Sequence, residues 1–495
     1  MGKGHGDRLT SLDASFLHME SSTQLMHIGG LFLFDASDAP GFDYQRFVAL
    51  IRSRLHLVPR YRQKLAFAPM SLSAPMWVDD PSFDLAYHVR HAALPAPGTT
   101  QQLMEYSARV LSKQLDRDRP LWELYVIEGI EGGSQFAIVG KNHHAMIDGA
   151  AGIDIATVML DFEPNEPDVI PDPEAWSAAP TPSGHELAWS GVRDLLGAPR
   201  DVVEAARGMV RTPLSAVRKA ARTAIGVTSV LTTNLPRPAP RSSINRAPGP
   251  HRRFAIQRIA LEDVKRIKNA FGTTVNDVVL AMVADATGRF LRARGDRTEG
   301  LWLKAMVPVS VRAEDDASHT GNKVASVFVS LPMFEMDPVE RLQICHEAMS
   351  EVKDRHHALG ADFLVNLTQF APPTIHAAAS RAAARARLYN FLVTNVPGPQ
   401  LPIYCLGARL MGGFPFTPLA STQSYAVGLT SIDGWMNFGF TADWDALPDV
   451  ELVTGFLVEA RDELVRSAEA ADTRSELTKP GRRRSGPTGV VGSKS

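Results

Sequence analysis

Six prolines, Pro164, Pro167, Pro171, Pro173, Pro180 and Pro182, fall within residues 163–184 among acidic and small side chains. Neither a helix nor a central strand continues through such a stretch, because each proline fixes φ at about −65° and lacks the amide proton that both ladders need. The chain is therefore expected to fold as two bodies joined by an irregular segment. Its 495 residues fit that division, being too many for one ordinary core and enough for two of comparable size. The interruption continues to residue 250: a helical pattern over 185–231 is broken at Gly197, Pro199 and Pro213, and a second irregular stretch spans 236–250. The expected division is an N-terminal domain at 1–163, a proline-rich and helical crossover at 164–250, a C-terminal domain at 251–472, and a tail at 473–495 with too little apolar surface to order itself.

On both sides of the crossover, short strand-like runs alternate with helical ones, the pattern of layered α/β domains. Before it, 29–34, 124–127 and 137–142 read as strands, and 44–55 and 100–115 as helices. After it, 254–259, 303–309, 324–331, 425–432 and 436–442 read as strands, and 261–269, 276–294, 338–353 and 450–468 as helices. A formal charge of −2 argues against a dedicated nucleic-acid binder. Two cysteines, Cys345 and Cys405, make no disulfide framework and suit a reducing cytoplasm. The polar residues 1–8 are followed by no apolar secretion segment, and Gly6 stands where a myristoylation signal needs Ser or Thr. No stretch reaches the roughly 20 predominantly apolar residues of a membrane helix, so contact with lipid is expected to be peripheral. Arg193, Arg200, Arg207, Arg211, Arg218, Lys219 and Arg222 in the crossover have two readings, a solvated face or a surface for anionic membrane or a lipid droplet.

The chemistry-bearing segment is Lys141, Asn142, His143, His144, Ala145, Met146, Ile147, Asp148, Gly149, directly after the apolar, strand-like run 135–140. Successive side chains on a strand face opposite ways, so one histidine is expected to act and the other to support it. A neutral imidazole, with a pKa of about 6.5, can take a proton from a hydroxyl and pass it to a leaving group, the service that acyl transfer requires. Asp148 stands where a carboxylate caps the following helical pattern or pairs with a cation, and Gly149 lets the chain turn sharply. Two other readings stand beside this one, a satisfied hydrogen-bond cluster and a zinc site. Adjacent histidines seldom share a face, and neither a cysteine nor a third histidine lies nearby, so no metal is expected.

His143, His144, Asp148 and Gly149 match the HHxxxDG motif of the coenzyme A-dependent acyltransferase superfamily, which includes chloramphenicol acetyltransferase, plant alcohol acyltransferases and the condensation domains of peptide synthetases. Further blocks narrow the resemblance: Leu12, Asp13, Ala14, Ser15, Phe16, Leu17; Met26, His27, Ile28, Gly29, Gly30; Pro120, Leu121, Trp122; Asn276, Asp277; Val307 to Arg312; and Asn395, Val396, Pro397, Gly398, Pro399. In this order, across residues 9–470, the chain resembles the bacterial wax ester synthase/diacylglycerol acyltransferases, particularly the actinobacterial triacylglycerol synthases. The resemblance implies an α/β fold of two chloramphenicol acetyltransferase-like domains, with an active-site tunnel between them that the two substrates enter from opposite sides.

It also implies an O-acyltransferase moving a long-chain acyl group from acyl-CoA to diacylglycerol, and by extension to long-chain alcohols. His144 is expected to be the general base and His143 to position it. Asp148 and Gly149 are expected to hold the loop, with Arg312 a candidate partner for the carboxylate. Asn276 and Asp277 are candidates for oxyanion stabilisation or substrate positioning, with plain helix capping the competing reading. Pro120, Leu121 and Trp122 are expected to pack so as to shape the acyl channel, and 395–399 to form a turn that lines the tunnel. No cofactor is expected, acyl-CoA being a co-substrate. The expected location is cytoplasmic, peripheral at the inner membrane face or on lipid droplets. The alternatives are a condensation-type acyltransferase acting on carrier-bound or other lipid substrates and a catalytically silent lipid-binding protein. The choice between diacylglycerol and a fatty alcohol depends on tunnel shape, which sequence does not give.

Overall fold

The computed structural model describes residues 7–37, 39, 42–69, 74–146, 155–164, 170–171, 173, 176–187, 189, 238–310, 324–358 and 387–478. The earlier half runs α1 (Ser11–Met19), β1 (His27–Asp35), α2 (Tyr44–Arg54), β2 (Gln63–Ala66), β3 (Met76–Asp79), α3 (Leu85–His88), β4 (Val89–Ala93), α4 (Thr100–Leu111), β5 (Trp122–Ile130), β6 (Gln135–His143) and α5 (Ile155–Met159). The later half runs β7 (Arg252–Ala260), α6 (Leu261–Phe271), α7 (Val275–Ala293), β8 (Trp302–Ser310), β9 (Val324–Pro332), α8 (Pro338–Ala358), β10 (Phe391–Pro397), β11 (Tyr404–Cys405), β12 (Ala408–Phe416), β13 (Tyr425–Ile432), β14 (Trp435–Asp443) and α9 (Leu452–Thr478). The helical pattern at 100–115 stops at Leu111, and α9 continues past the expected boundary at 472 to Thr478. The basic helices expected at 193–222 and the rest of the tail lie outside the described residues.

These strands form two six-stranded sheets, ordered β11-β12-β1-β6-β5-β4 and β7-β14-β13-β10-β8-β9, and a small pair β2-β3. β6 lies inside the first sheet, antiparallel to both β1 and β5. Phe136, Ala137, Ile138 and Val139 are all buried, which explains why this strand reads as a continuous apolar run rather than an alternating one. α4 starts at a capping box of Thr99 and Gln102 and buries Leu103, Met104, Ala108, Val110 and Leu111. α7 starts at a second capping box, Thr274 with Asp277, and is buried almost all round, the mark of a helix enclosed between a sheet and other helices.

The first sheet is completed by two strands from the later half. β12 pairs with β1 from Gly29 opposite Phe416 to Asp35 opposite Arg409, and β11 pairs with β12. Periodicity does not reveal β12, because Gly412, Gly413 and Pro415 interrupt its apolar pattern and its pairing partner is hundreds of residues away. This strand also presses on the second sheet: a Cβ at Gly439 of β14 would stand 2.1 Å from the Pro415 carbonyl oxygen, so only glycine allows the approach. The Phe416 ring stacks on Phe254 of β7 with centroids 4.1 Å apart. The Arg252 backbone N–H donates to Ser112 Oγ at 3.0 Å, and its guanidinium donates to the Thr23 carbonyl, binding the start of β7 to the earlier half.

Candidate active site

β6 ends at His143, and His144–Met146 form one tight 3-10 turn immediately after it. The two histidines therefore occupy different environments because the strand stops between them, not through strand alternation alone. His143 is 1% exposed and His144 is half-buried.

The His143 backbone N–H donates to the Leu121 carbonyl at 2.9 Å. Its Nδ1 accepts the Ala145 backbone N–H at 3.1 Å, so the neutral ring carries its proton on Nε2. That nitrogen lies 3.6 Å from Glu20 Oε1. Burial, then the positive charge of Arg117 and the neighbouring His144, push the His143 pKa down to about 3. The His144 backbone N–H donates to the Met26 carbonyl at 2.8 Å. Its ring stacks on Phe16, with centroids 3.8 Å apart and planes 20° from parallel. Burial lowers its pKa from the usual imidazole value, its own backbone carbonyl acting in the opposite sense. Its Nδ1 is buried with no hydrogen-bond partner among the described residues. Both shifts favour the neutral imidazole at pH 7.

Lys141, two residues earlier on β6, is fully buried. Its ammonium lies 3.4 Å from Glu123 Oε2 and 3.5 Å from the Val110 carbonyl at the end of α4. His27 lies directly opposite His143 on β1, and its Nε2 donates to the next carbonyl, Leu111, at 2.7 Å. Two buried side chains from the central strands thus satisfy the C-terminal carbonyls of α4.

Pro120, Leu121 and Trp122 are buried beneath the histidine turn. The Trp122 indole N–H donates to the Tyr61 carbonyl at 2.7 Å, and its ring stacks on His88 at 4.6 Å. These residues form the core that supports His143. Asn276 lies at the start of α7, and its Oδ1 accepts Asn395 Nδ2 from β10 at 2.7 Å. Asp277 is buried; one carboxylate oxygen accepts the Thr274 N–H at 2.8 Å and lies 2.7 Å from His346 Nδ1. The structure thus gathers the histidines with 120–122 where the end of β6 meets the start of β5, and Asn276 and Asp277 of α7 with Asn395 of β10. Asp148, Gly149 and Arg312 lie outside the described residues. Glu20 and Phe16 are the site-forming residues that sequence reasoning did not single out. Phe16 falls within a quoted block, whereas an isolated Glu after a short helix carries no local signal.

The wax ester synthase/diacylglycerol acyltransferase catalytic domain matches residues 9–279, and the C-terminal domain of the same family matches 320–464. The chain belongs to this family. A Mycobacterium tuberculosis protein that carries the name diacylglycerol O-acyltransferase is 34% identical over 471 residues, covering 94% of this chain and 91% of the relative. A second M. tuberculosis protein of that name is 31% identical over 481 residues, covering 96% and 98%. The solved wax ester synthase/diacylglycerol acyltransferase of Marinobacter aquaeolei VT8 superposes with a TM-score of 0.65 at 27% identity, covering 94% of this chain and 100% of that one. The first condensation domain of the CDA synthetase, at a TM-score of 0.54 and 15% identity, shares the fold. The chain is an acyltransferase whose two sheet-rich domains are of the chloramphenicol acetyltransferase-like kind. No helix among the described residues is long and apolar enough to cross a membrane.

Proposed function

We propose that this enzyme moves a long-chain acyl group from acyl-CoA to diacylglycerol, making triacylglycerol, and that long-chain alcohols enter the same site to give wax esters. The observation that carries this reading is a half-buried His144 held under Phe16 and backed by a fully buried His143, burial favouring the neutral form of both rings. An uncharged imidazole within substrate reach is a base ready to act at pH 7. His144 removes the acceptor hydroxyl proton as that oxygen bonds to the thioester carbonyl carbon. The C–S bond then breaks with its electron pair on sulfur, and the imidazolium returns the proton to the thiolate, leaving ester and free coenzyme A. No covalent enzyme intermediate is needed.

Because Asn395 occupies the Asn276 carbonyl oxygen, the Asn276 amide nitrogen is the donor end, and we assign it to the oxyanion of the tetrahedral intermediate. Asp277 fixes the helix start that presents it. Asp148 and Gly149 hold the loop after the base, and Pro120, Leu121 and Trp122 form the packed floor of the acyl channel. A tunnel between the domains keeps water from hydrolysing the donor. Acyl-CoA acts as co-substrate, each step balancing with the two substrates and these side chains. In this reading the enzyme meets its acceptor peripherally, at the inner membrane face or a lipid droplet. The test is product identification by mass after incubating purified protein with palmitoyl-CoA and either diacylglycerol or hexadecanol. Triacylglycerol in excess of wax ester is expected, and formation of neither ester overturns the reading.

A further inference from the structure

Helix α1 and the residue that ends it form the other wall of the histidine turn. Phe16 covers the His144 ring, and the C-cap residue Glu20 places a carboxylate, 2% exposed, against His143. Its oxygens divide their partners. Oε2 receives Arg117 Nη2 at 2.6 Å and Nε at 3.2 Å. Oε1 faces the Met26 N–H at 3.5 Å and His143 Nε2 at 3.6 Å.

A buried carboxylate is costly unless its lone pairs are used. Arg117, whose side chain is 39% exposed, supplies the counter-charge from the surface side, leaving Oε1 for the interior. His143 can meet that oxygen with an N–H only while its Nδ1 lone pair accepts from Ala145, the first residue after His144. In the other tautomer, Nδ1–H would point at the Ala145 N–H, two donors without an acceptor, and the turn would have to move. Glu20 also faces the backbone N–H of Met26, the residue whose carbonyl holds the His144 N–H at 2.8 Å. The contact at 3.6 Å is slightly longer than a hydrogen bond.

We propose that Glu20 is a positioning residue of the active site: it holds His143 in the Nε2–H tautomer and, through that ring and the Met26 backbone, sets the turn that carries His144. The assignment rests on His144 being the base. Nothing in the proposal requires Glu20 to touch substrate.

The test uses full-length protein with 15N-labelled histidine, the His143 signals being assigned through His143→Gln. In the wild type, His143 should give the nitrogen shifts of a single Nε2–H tautomer. In Glu20→Ala the shifts should move to a tautomer mixture, kcat for coenzyme A release from palmitoyl-CoA with diacylglycerol should fall about 10- to 100-fold, and KM for palmitoyl-CoA should stay within about twofold. In a His143→Gln background the same Glu20 substitution should change kcat less than about twofold, since its main route of action is gone. Glu20→Asp, which keeps a charge for Arg117 but withdraws it from His143, should resemble the Ala variant, and it takes its place if that protein does not fold. An unchanged tautomer with unchanged kcat, a rise in KM alone, or the full loss persisting in the His143→Gln background would overturn the proposal. The nitrogen shifts decide the Glu20 assignment even if His144→Gln proves active, so failure of the base assignment is read separately.

Discussion

In the earlier half of the chain, four imidazoles keep one buried ring nitrogen, His27 Nδ1, His88 Nε2, His143 Nε2 and His144 Nδ1, without a hydrogen-bond partner among the described residues. In the later half, buried charge is tied into pairs. Asp285 binds Arg289 Nε and Arg341 Nη1, each at 2.8 Å, and Arg289 continues to Glu459 and Glu463, joining α7 and α8 to α9. The contrast is one of residue type, since both halves also hold buried ion pairs, Lys141 with Glu123 in the earlier one, and both hold buried polar atoms without a hydrogen-bond partner among the described residues, Asn437 and Thr417 in the later one. Unpartnered buried polar groups raise the energy of a fold and persist where chemistry or strain uses them, whereas closed networks fix a frame. The contrast fits the proposed role of His144 as base at the end of a first-sheet strand, while α7 and β10 hold Asn276 and Asn395 together.

Substitutions can separate the two roles. The largest effect on rate is expected at His144: His144→Gln should lower kcat by about 10²- to 10⁴-fold with an unchanged melting profile, measured as thiol release. Asp285→Ala should do the reverse. It leaves Arg341, whose side chain is 3% exposed, without its carboxylate, and should destabilise the fold by about 3–5 kcal/mol in chemical denaturation while kcat per folded molecule holds. Gly439→Ala tests the seam between the sheets. Its new methyl meets the Pro415 carbonyl, so a loss of about 1–3 kcal/mol is expected, with faster amide exchange concentrated in β12.

The smallest effect is on pH dependence. Because burial lowers the His144 pKa, log kcat/KM should stay flat as pH falls through 6.5 and decline only below it. His143, at about 3 when folded, also stays neutral where an unfolded imidazole, with a pKa of about 6.5, takes up a proton. The unfolded state therefore binds more protons between those values, and this contribution to stability, complete above about pH 6.5, should be lost progressively as pH falls toward 3.

Much of this was legible in the sequence where the signal is local. β6 and its histidine turn announce themselves as an apolar run followed by polar residues, and α7 as polar capping residues followed by a largely apolar helix. The residues that depend on distant partners were not legible. β12 hides behind Gly412, Gly413 and Pro415, and its place in the first sheet is set by pairing with β1. Glu20 is an ordinary acid until the fold sets it beside Arg117 and His143. Alternation along a strand predicts that the two histidines differ; their surroundings do, and the physical cause is the end of the strand at His143.

The most direct test of the account measures coenzyme A release from palmitoyl-CoA with and without diacylglycerol, for the wild type and His144→Gln side by side. The account predicts release by the wild type that requires the acceptor and falls to background in the variant. Equal release without acceptor, or a variant that keeps pace with the wild type, would contradict it.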